Sequence, residues 1–291
     1  MPELPEVETT IRDLKEKILK KSIVDVWTDT KKLIKRPKKF KIFKEELVGK
    51  EILDIKRRGK NILIFLSSGK VLLIHQKLTG HLLFGKWEKI NKEWVSKIAG
   101  ALSTDPTNKF LHLIIFFKDG WQLALSDLRK FAKVEILTKE ELEKELAKLG
   151  PEPLDKDFTF EKFRERILKR KKGKIKQVLM DQEIIAGIGN IYSDEILWKA
   201  KIHPLKRVKD LSEGELKEIY KAMKEILLKA ISAGGESISD YRRPSGEKGG
   251  FDAFRKVYRR EGEKCFRCGS KIKRIKIAQR SAYFCPVCQK S

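Results

Sequence analysis

The sequence predicts an α+β protein of several domains, with an antiparallel β-rich half, a helical half and a C-terminal hairpin that carries four cysteines. Three observations predict this. Short β-rich segments follow one another through residues 22–137, amphipathic helical periods dominate the next hundred or so residues, and every cysteine falls within the last 27 residues. A chain of 291 residues is long enough to bury more than one hydrophobic core.

The N-terminal half begins as a helix and continues as strands. Apolar residues at Val7, Ile11, Leu14 and Ile18 recur with a helical period, so we expect one face of residues 5–20 to pack on a core. β-rich runs then follow at residues 22–28, 61–66, 70–76, 110–117 and 121–126. Closely spaced short strands without intervening helices indicate an antiparallel sandwich or barrel.

A boundary falls near residues 138–158. Thr138 and Glu141 form a capping-box pattern ahead of a charged helix, which Gly150 and the following proline end. Beyond it we expect helices at about 159–171, 174–183 and 190–200, and a long amphipathic helix after a second capping box at residues 212–215. Residues 233–250 are rich in Gly and Ser, which is typical of a mobile loop.

The four cysteines form two C-x-x-C pairs. Cys265 and Cys268 are separated by sixteen residues from Cys285 and Cys288, a spacing typical of a four-thiolate zinc site. Two disulfides are the alternative, which an intracellular location disfavours, and a redox pair is a third. We predict one structural zinc ion, because four thiolates leave no open coordination position for catalysis.

The charge distribution points to a polyanionic partner. Lys and Arg number 66 against 41 Asp and Glu, a net charge of +25, and residues 241–291 carry 15 cations against 4 acids. Nucleic acid is the commonest partner of so basic a protein. An anionic membrane is the competing partner, but no apolar run approaches 18 residues and no signal-peptide pattern is present. We therefore expect a cytoplasmic protein that binds nucleic acid.

Pro2 and Glu3 suggest covalent catalysis. If Met1 is removed, Pro2 presents a secondary amine beside a carboxylate. An α-amino group has a pKa of roughly 8, so it is unprotonated near neutral pH far more often than a lysine. Attack of such an amine on a sugar or carbonyl carbon forms an iminium, which withdraws electrons from the adjacent carbon. The plainer alternative is a proline at a frayed terminus.

Three further motifs could hold a nucleic-acid backbone or enter a base stack. Gly187-Ile-Gly189-Asn190 could bind a phosphate at a helix start that Asn190 caps, or could be an ordinary helix–helix turn. Lys60 follows a glycine at the start of an apolar strand, where a cation is usually only solvated. Arg129 and Phe131 place an aromatic ring beside cations, as in a wedge between bases, although Phe131 could equally belong to the core.

Three segments together resemble one protein family. They are Pro-Glu-Leu-Pro-Glu-Val-Glu-Thr at residues 2–9, Leu-Met-Asp-Gln-Glu-Ile-Ile-Ala-Gly-Ile-Gly-Asn-Ile-Tyr-Ser-Asp-Glu at 179–195, and Ile-Lys-Arg-Ile-Lys-Ile-Ala-Gln-Arg-Ser-Ala-Tyr-Phe-Cys-Pro-Val-Cys at 272–288. In this order, from terminus to terminus, the chain resembles bacterial formamidopyrimidine-DNA glycosylase. The resemblance implies a catalytic β-sandwich at residues 1–137, a hinge at 138–158, a helix–two-turn–helix domain with a lesion loop at 159–250, and a zinc finger at 251–291.

The resemblance also implies a function and a set of site residues. The protein would be a monomeric, nucleoid-associated enzyme that excises oxidised purines (8-oxoguanine and formamidopyrimidines) from double-stranded DNA and cleaves abasic sites. Pro2 would attack the sugar, Glu3 would act as acid and base, and Glu6 would support Glu3. Three residues would hold phosphates around the lesion: Lys60, Asn190 and Arg280. Arg129 and Phe131 would fill the space that the everted base leaves.

The sequence departs from the family pattern in three places. Leu78 replaces the methionine that usually fills the void, with Lys77 beside it. The wedge segment reads Asp-Leu-Arg-Lys-Phe-Ala at residues 127–132 instead of the usual Asp-Pro-Arg-Arg-Phe-Gly. Gly250 stands in the lesion loop where an aromatic residue is common. These differences bear on lesion preference more than on the chemistry at Pro2.

Two other functions compete. One is an endonuclease-eight-like glycosylase for oxidised pyrimidines, a branch that usually opens Pro-Glu-Gly-Pro-Glu, whereas Leu4 occupies the third position of this motif here. The other is a non-catalytic zinc protein that binds damaged DNA or structured RNA. Such a protein would share the charge and the zinc site but would have no use for a free Pro2 amine.

Overall fold

A computed structural model describes residues 1–290 of the chain, and Ser291, the last residue of the predicted zinc finger, lies outside them. The described chain divides into two compact units. Unit 1 comprises Met1–Ala147 together with Ala233–Asp252. Unit 2 comprises Lys148–Ser232 together with the described residues from Ala253 onward.

Unit 1 contains short helices and many strands. Its helices are α1 (Leu4–Ile18), α2 (Phe40–Leu47), α3 (Ala101–Thr104) and α4 (Lys139–Leu146). Its strands are β1 (Ile23–Thr28), β2 (Ile34–Arg36), β3 (Ile52–Arg58), β4 (Asn61–Leu66), β5 (Val71–His75), β6 (His81–Gly85), β7 (Trp87–Ile90), β8 (Glu93–Ser96), β9 (Leu111–Phe117), β10 (Gln122–Ser126) and β11 (Lys133–Leu137).

These strands form two principal sheets with one shared core. One sheet has the order β1-β9-β10-β6 and the other β2-β11-β5-β4-β3, and all neighbours pair antiparallel except β11 with β2. Alternate residues of both sheets, such as Ile115 of β9 and Ile64 of β4, are buried in the same apolar cluster. Since side chains alternate across a strand, each sheet covers the other with one face. The predicted antiparallel sandwich is confirmed.

Helix α1 packs on this core as its period predicts. Val7, Ile11, Leu14 and Ile18 are all buried in the cluster that the two sheets share. Polar and charged residues occupy much of the opposite face, so the helix is amphipathic as expected for a surface element. The sequence therefore places the N-terminus of α1, and with it Pro2 and Glu3, against the sandwich.

The glycine-rich loop packs with unit 1, not with the helices that precede it. The Glu236 N–H donates to Glu6 Oε1 at 2.9 Å, and Arg242 and Arg243 form ion pairs with Asp105 and Asp13. The sequence assigns this loop to a helical domain spanning residues 159–250. In the structure, these long-range bonds join the loop to α1 and to the turn before β9.

Unit 2 contains the remaining helices and the zinc hairpin. Its elements are α5 (Phe160–Leu168), α6 (Ile175–Met180), α7 (Asn190–Lys199), α8 (Glu213–Ser232), β12 (Lys273–Ile277) and β13 (Arg280–Phe284). Helix α6 is shorter than the predicted 174–183, because Asp181 leaves the helical conformation and begins a turn. Among the described residues, none of the helices is both long and apolar enough to span a membrane.

Candidate active site and nucleic-acid interface

Pro2 and Glu3 lie buried at the start of α1. Glu3 is the N-cap residue, and its N–H donates to Glu6 Oε2 at 2.7 Å in the manner of a capping box. Pro5 suits the first turn of the helix, where a backbone N–H would have no intrahelical acceptor. Pro2 is therefore ordered and buried, and the alternative of a frayed terminus does not describe it.

The N-terminal amine is shielded from water and lies near several charged side chains. Burial lowers the pKa of the Met1 amine below its ordinary value near 8, and the positive charge of Lys60 lowers it further. The carboxylates of Glu3, Glu6 and Asp240 act in the opposite direction and raise it, but the effect of burial is larger. A lowered pKa keeps an amine unprotonated near neutral pH. If Met1 is removed, the new amine belongs to Pro2, one residue further into the same site.

Glu6 connects α1 to the glycine-rich loop. One carboxylate oxygen accepts the Glu3 N–H and the other accepts the Glu236 N–H, at 2.7 and 2.9 Å. The Glu6 backbone carbonyl accepts the hydroxyl of buried Tyr241 at 3.2 Å. Gly235 is required here, because a Cβ would lie 3.1 Å from the Glu6 side chain and its φ is +80°. Glu6 thus fixes the positions of Glu3 and the loop together.

Lys60 lies at the tight turn between β3 and β4 and is only 7% exposed. Gly59 provides the positive φ of the turn, and the Arg57 guanidinium donates to its carbonyl at 3.2 Å. The same guanidinium pairs with Glu8 of α1 at 2.9 Å. A buried lysine held at a fixed turn differs from the solvated cation that was the alternative for this position.

The segment at residues 127–132 is organised by one buried carboxylate. Asp127 accepts the N–H groups of Phe131 and Ala132 at 2.7 and 2.8 Å, and it also accepts the hydroxyl of Thr79. Arg129 and Phe131 project outward: Phe131 is 47% exposed, and the Arg129 guanidinium lies 4.7 Å from its ring centroid. Phe131 is therefore available as a wedge and is not a core residue.

Leu78 lies on the neighbouring turn. The Thr79 hydroxyl that bonds to Asp127 also accepts the Arg129 N–H at 3.0 Å, so this turn and the wedge segment form one unit. Gly80 closes the turn, since a Cβ there would meet the Gln76 carbonyl at 2.5 Å. Leu78 is half-buried beside Thr79. The structure thus brings Leu78, Arg129 and Phe131 together.

Two histidines of this region, the half-buried His75 and the buried His81, have lowered pKa values. Burial lowers the pKa of His75 to about 3 and that of His81 to about 4. His81 Nε2 lies 3.1 Å from Asn108 Oδ1, and His75 Nδ1 accepts the Lys77 N–H at 3.0 Å. These contacts are those of structural histidines.

In unit 2, Gln182 shapes the Gly-Ile-Gly turn between α6 and α7. Its side chain accepts the Gly187 N–H at 2.9 Å and donates to the Ile188 carbonyl at 2.7 Å. The prediction that Asn190 caps α7 is wrong: Gly189 is the N-cap and Asn190 is the first helical residue. The Asn190 amide oxygen has no hydrogen-bond partner among residues 1–290, so this side chain is not committed to capping.

Two consecutive carboxylates of α7 bind the C-terminal zinc-finger segment, and the sequence analysis assigned no role to either. Asp194 pairs with buried Lys176 at 2.7 Å and accepts the Tyr283 N–H of β13, while Lys176 donates to the Ser281 carbonyl at 2.8 Å. Burial raises the pKa of Asp194 to about 7, against the opposing Lys176 charge. Glu195 accepts backbone N–H groups of residues 256–258. Consecutive acids inside an otherwise apolar helix are the signal that could have revealed them.

The four cysteines form one closed site in unit 2. Their sulfur atoms all lie within 4.8 Å of one another, and Cys268 and Cys285 are 3.4 Å apart, too far for a disulfide. Four thiolates around zinc at about 2.3 Å would be roughly 3.8 Å apart, so the arrangement fits the ion. Trp198 Nε1 lies 3.5 Å from Cys265 Sγ, an outer contact typical of structural zinc sites.

Arg280 is exposed at the tip of the zinc hairpin. It pairs with Ile277 across a two-residue turn, Ala278-Gln279, whose residues both have positive φ. With Gln177 of α6 and Asp181, which follows that helix, it lines a cleft of about 180 Å³. The arrangement places Arg280 beside the helix that leads into the Gly-Ile-Gly turn.

An ordered N-terminal amine site, a helix–two-turn–helix and a basic zinc hairpin define the class: a zinc-containing DNA-repair enzyme. Family models match in the same order, the formamidopyrimidine-DNA glycosylase N-terminal domain at residues 1–134, its H2TH domain at 149–242, and the zinc finger found in FPG and IleRS at 262–290.

Whole-length relatives agree with these models. The formamidopyrimidine-DNA glycosylase of Pelotomaculum thermopropionicum is 37% identical over 100% of this chain and 99% of its own, and that of Brevibacillus brevis is 38% identical over 100% of both. A crystal structure of Lactococcus lactis Fpg with DNA containing an abasic site is 36% identical and superimposes with a TM-score of 0.85 over 99% of this chain and 100% of that one.

The chain therefore belongs to the formamidopyrimidine-DNA glycosylase family. It is a base-excision repair enzyme, a DNA glycosylase with associated abasic-site lyase activity, and it holds one structural zinc ion. The predicted family, fold, enzyme class and metal are confirmed.

Proposed function

We propose that Pro2, freed by removal of Met1, is the nucleophile that excises oxidised purines from double-stranded DNA. Its nitrogen forms a bond to C1′ of the damaged nucleoside as the bond from C1′ to the base breaks, and the base leaves with the electron pair and a proton. Opening of the sugar ring gives an iminium. Loss of a C2′ proton from this iminium expels the 3′ phosphate, and loss of the C4′ proton from the unsaturated iminium that results expels the 5′ phosphate.

The observation that carries this proposal is the environment of the terminal amine. Pro2 and Glu3 are both buried at the start of α1, so that the nitrogen of Pro2 and a carboxylate that can accept a proton occur in one site. Glu3 is the acid and base for ring opening and elimination because it is buried next to Pro2. Glu6 is a positioning residue, since both of its carboxylate oxygens already accept backbone N–H groups.

The remaining predicted residues hold the DNA around this centre. Lys60, Asn190 and Arg280 bind phosphates that flank the lesion, which positions the strand without reading its sequence. Phe131 enters the base stack while Arg129 and Leu78 occupy the vacated space, which offsets the few kcal/mol that base eversion costs. The exposed Phe131 ring and its fixed loop support this assignment.

Solved structures of similar proteins support oxidised purines as the substrates. Lactococcus lactis Fpg has been crystallised with DNA containing Fapy-dG, and MutM with DNA containing carbocyclic 8-oxo-G, at 36% identity and a TM-score of 0.85 in each case. Leu4 also differs from the glycine typical of the pyrimidine-specific branch. We propose that the enzyme acts as a monomer in the cytoplasm, on the DNA of the nucleoid.

Borohydride trapping tests the mechanism. Reduction in the presence of duplex DNA containing 8-oxoguanine should fix a covalent protein–DNA adduct with the wild type and none with Pro2→Gly. Pro5→Gly is the matched control, because Pro5 lies in the first turn of α1 without an amine role, and it should still form the adduct. An intact mass that includes Met1, no wild-type adduct, or an adduct in Pro2→Gly would each contradict the proposal.

A further inference from the structure

A buried arginine organises the end of the glycine-rich loop. Arg242 is only 5% exposed, and its Nε lies 2.6 Å from a carboxylate oxygen of Asp105, in the segment that precedes β9. The same guanidinium donates to the Thr107 hydroxyl at 3.0 Å and to the carbonyls of Ser239 and Tyr241 at 2.9 and 2.7 Å. A charge is costly to remove from water unless it is paired and hydrogen-bonded, so these bonds specify one conformation of the loop.

The partner of Arg242 belongs to a fixed part of the sandwich. Asp105 accepts the Thr107 N–H at 2.8 Å, which closes a turn. The hydroxyl of Ser126 in β10 donates to the Thr107 carbonyl at 2.9 Å and holds this turn on the sheet. The position of the Arg242 guanidinium is therefore set by β10, through two residues of one turn.

A second contact holds the loop on the same segment. Asn108 is 2% exposed and donates to the carbonyls of Ala101 and Gly246 at 2.8 and 3.1 Å. A Cβ at Gly246 would lie 2.8 Å from the Asn108 amide nitrogen, and φ at this glycine is +84°. The end of the loop is thus attached at two positions, by Asp105 and by Asn108.

The other end of the loop is attached to Glu6, beside the N-terminal amine. The Glu236 N–H and the Tyr241 hydroxyl donate to the carboxylate and the backbone carbonyl of Glu6 at 2.9 and 3.2 Å. Burial lowers the pKa of the N-terminal amine and the charge of Asp240 opposes this effect, so Asp240 lies near the amine. The three residues before Tyr241 are half-buried. We call residues 237–241 the arch of the loop.

We propose that Arg242 is a positioning residue for excision, which acts through Asp105 to fix the arch that holds the everted base. This inference rests on the proposed function, in which the base is everted beside Pro2. Because the guanidinium binds the carbonyls of both Ser239 and Tyr241, it sets the backbone of the arch without touching the reacting atoms. An arch that is already ordered loses less conformational entropy when a base enters. An abasic site has no base to be held, so Arg242 serves excision and not the cleavage of abasic sites.

Arg242→Lys tests this role. Lysine keeps a positive charge beside Asp105 but lacks the planar fork that reaches the carboxylate and two carbonyls together. Single-turnover excision of 8-oxoguanine from duplex DNA at saturating enzyme should slow by about 10- to 100-fold, because a misplacement of about 1 Å can cost about a hundredfold. Strand cleavage at a preformed abasic site should keep the wild-type rate.

A second variant tests the partner. Asp105→Asn should show the same selective defect on the 8-oxoguanine duplex. The double variant should lose little more than either single variant, because the two residues act through one interaction. Additive losses in the double variant would contradict a joint role. Thermal unfolding shows whether each variant is folded at the assay temperature, and Asp105→Asn decides the question if Arg242→Lys does not fold.

Arg36→Lys is the matched control. Arg36 pairs with Glu135 of the same unit at 2.9 Å, so this variant makes the same substitution in another ion pair, and its excision should be normal. Normal excision by Arg242→Lys, or equal slowing on the 8-oxoguanine and abasic duplexes, would overturn the inference. Absence of a borohydride adduct between the wild type and either duplex would instead contradict the proposed function itself.

Discussion

Lys176 and Asp194 form an ion pair inside unit 2, with 2.7 Å between Nζ and Oδ1 and neither side chain more than 1% exposed. Each partner also binds the backbone of the zinc hairpin, at Ser281 and Tyr283. The pair therefore joins α6, α7 and β13 at one point. It fixes the hairpin to α6 and to α7, the helix that begins at Asn190.

Removal of one partner should be far more harmful than removal of both. Asp194→Asn leaves the Lys176 charge buried without compensation, and we expect a loss of about 3–5 kcal/mol of unfolding free energy, with a similar loss for Lys176→Met. The double variant should lose clearly less than the sum of the two single losses. Urea unfolding of the three variants measures this coupling, and strictly additive losses would show that the two charges do not interact.

Asp127 should control both the stability and the activity of the wedge segment. Asp127→Ala removes the acceptor of two buried N–H groups and a hydroxyl, so we expect a loss of about 3 kcal/mol and slower single-turnover excision. Leu128→Ala, in the same segment and 49% exposed, is the control and should change stability little. Phe131→Ala should slow excision without the loss of stability. Normal excision by Asp127→Ala would show that the function of the wedge segment does not depend on this carboxylate.

Zinc removal should disable DNA binding and leave the sandwich folded. Cys288→Ser breaks a site whose zinc affinity contributes roughly 10–16 kcal/mol in model peptides, so the hairpin and Arg280 should lose their positions. Zinc content, DNA affinity and hydrogen exchange of the β9 and β10 amides measure the three effects. Val287→Ala, in the same cysteine knuckle and 53% exposed, should retain zinc and bind normally. Ordinary affinity in Cys288→Ser would refute the role of the hairpin.

Acid should destabilise unit 1 through its buried histidines. Burial lowers the pKa of His81 to about 4, from about 6.5 in the unfolded chain, so the unfolded state binds more protons in between. The contribution of neutral His81 to the unfolding free energy is therefore fully present above pH 6.5 and decreases as the pH falls toward 4. His81→Gln should flatten this dependence when the thermal unfolding midpoint is followed from pH 7 to 4. An unchanged slope would assign the acid sensitivity to other groups, His75 first.

Sequence analysis identified those residues whose pattern involves only near neighbours in the chain. The helical period of Val7 and Ile11 specifies the buried face of α1, and the two C-x-x-C pairs specify their ion. Asp127 and Gln182 could not be identified in this way, because their importance comes from turns that their side chains organise after the chain has folded. Asn190 was misassigned as a cap because Gly189 fits the N-cap position without any side chain.

The loop at 233–252 shows a second reason why some contacts cannot be predicted from the sequence. Its composition indicates flexibility, but its place in the structure depends on partners such as Glu6 and Asp13 at the other end of the chain. Periodicity and turn chemistry describe neighbours in sequence and contain no information on contacts of this range. The hydrogen bonds of the loop to α1 therefore could not be predicted from the sequence.

The bond from Glu236 to Glu6 spans 230 residues of sequence. During synthesis the ribosome must therefore complete α1, both sheets and helices α5 to α8 before the Glu6 carboxylate acquires its last partner. Contacts of such long range form late because closing a large loop is entropically costly. A nascent chain released before residue 236 could contain the whole sandwich and still lack a finished active site, which delays repair activity until the enzyme is nearly complete.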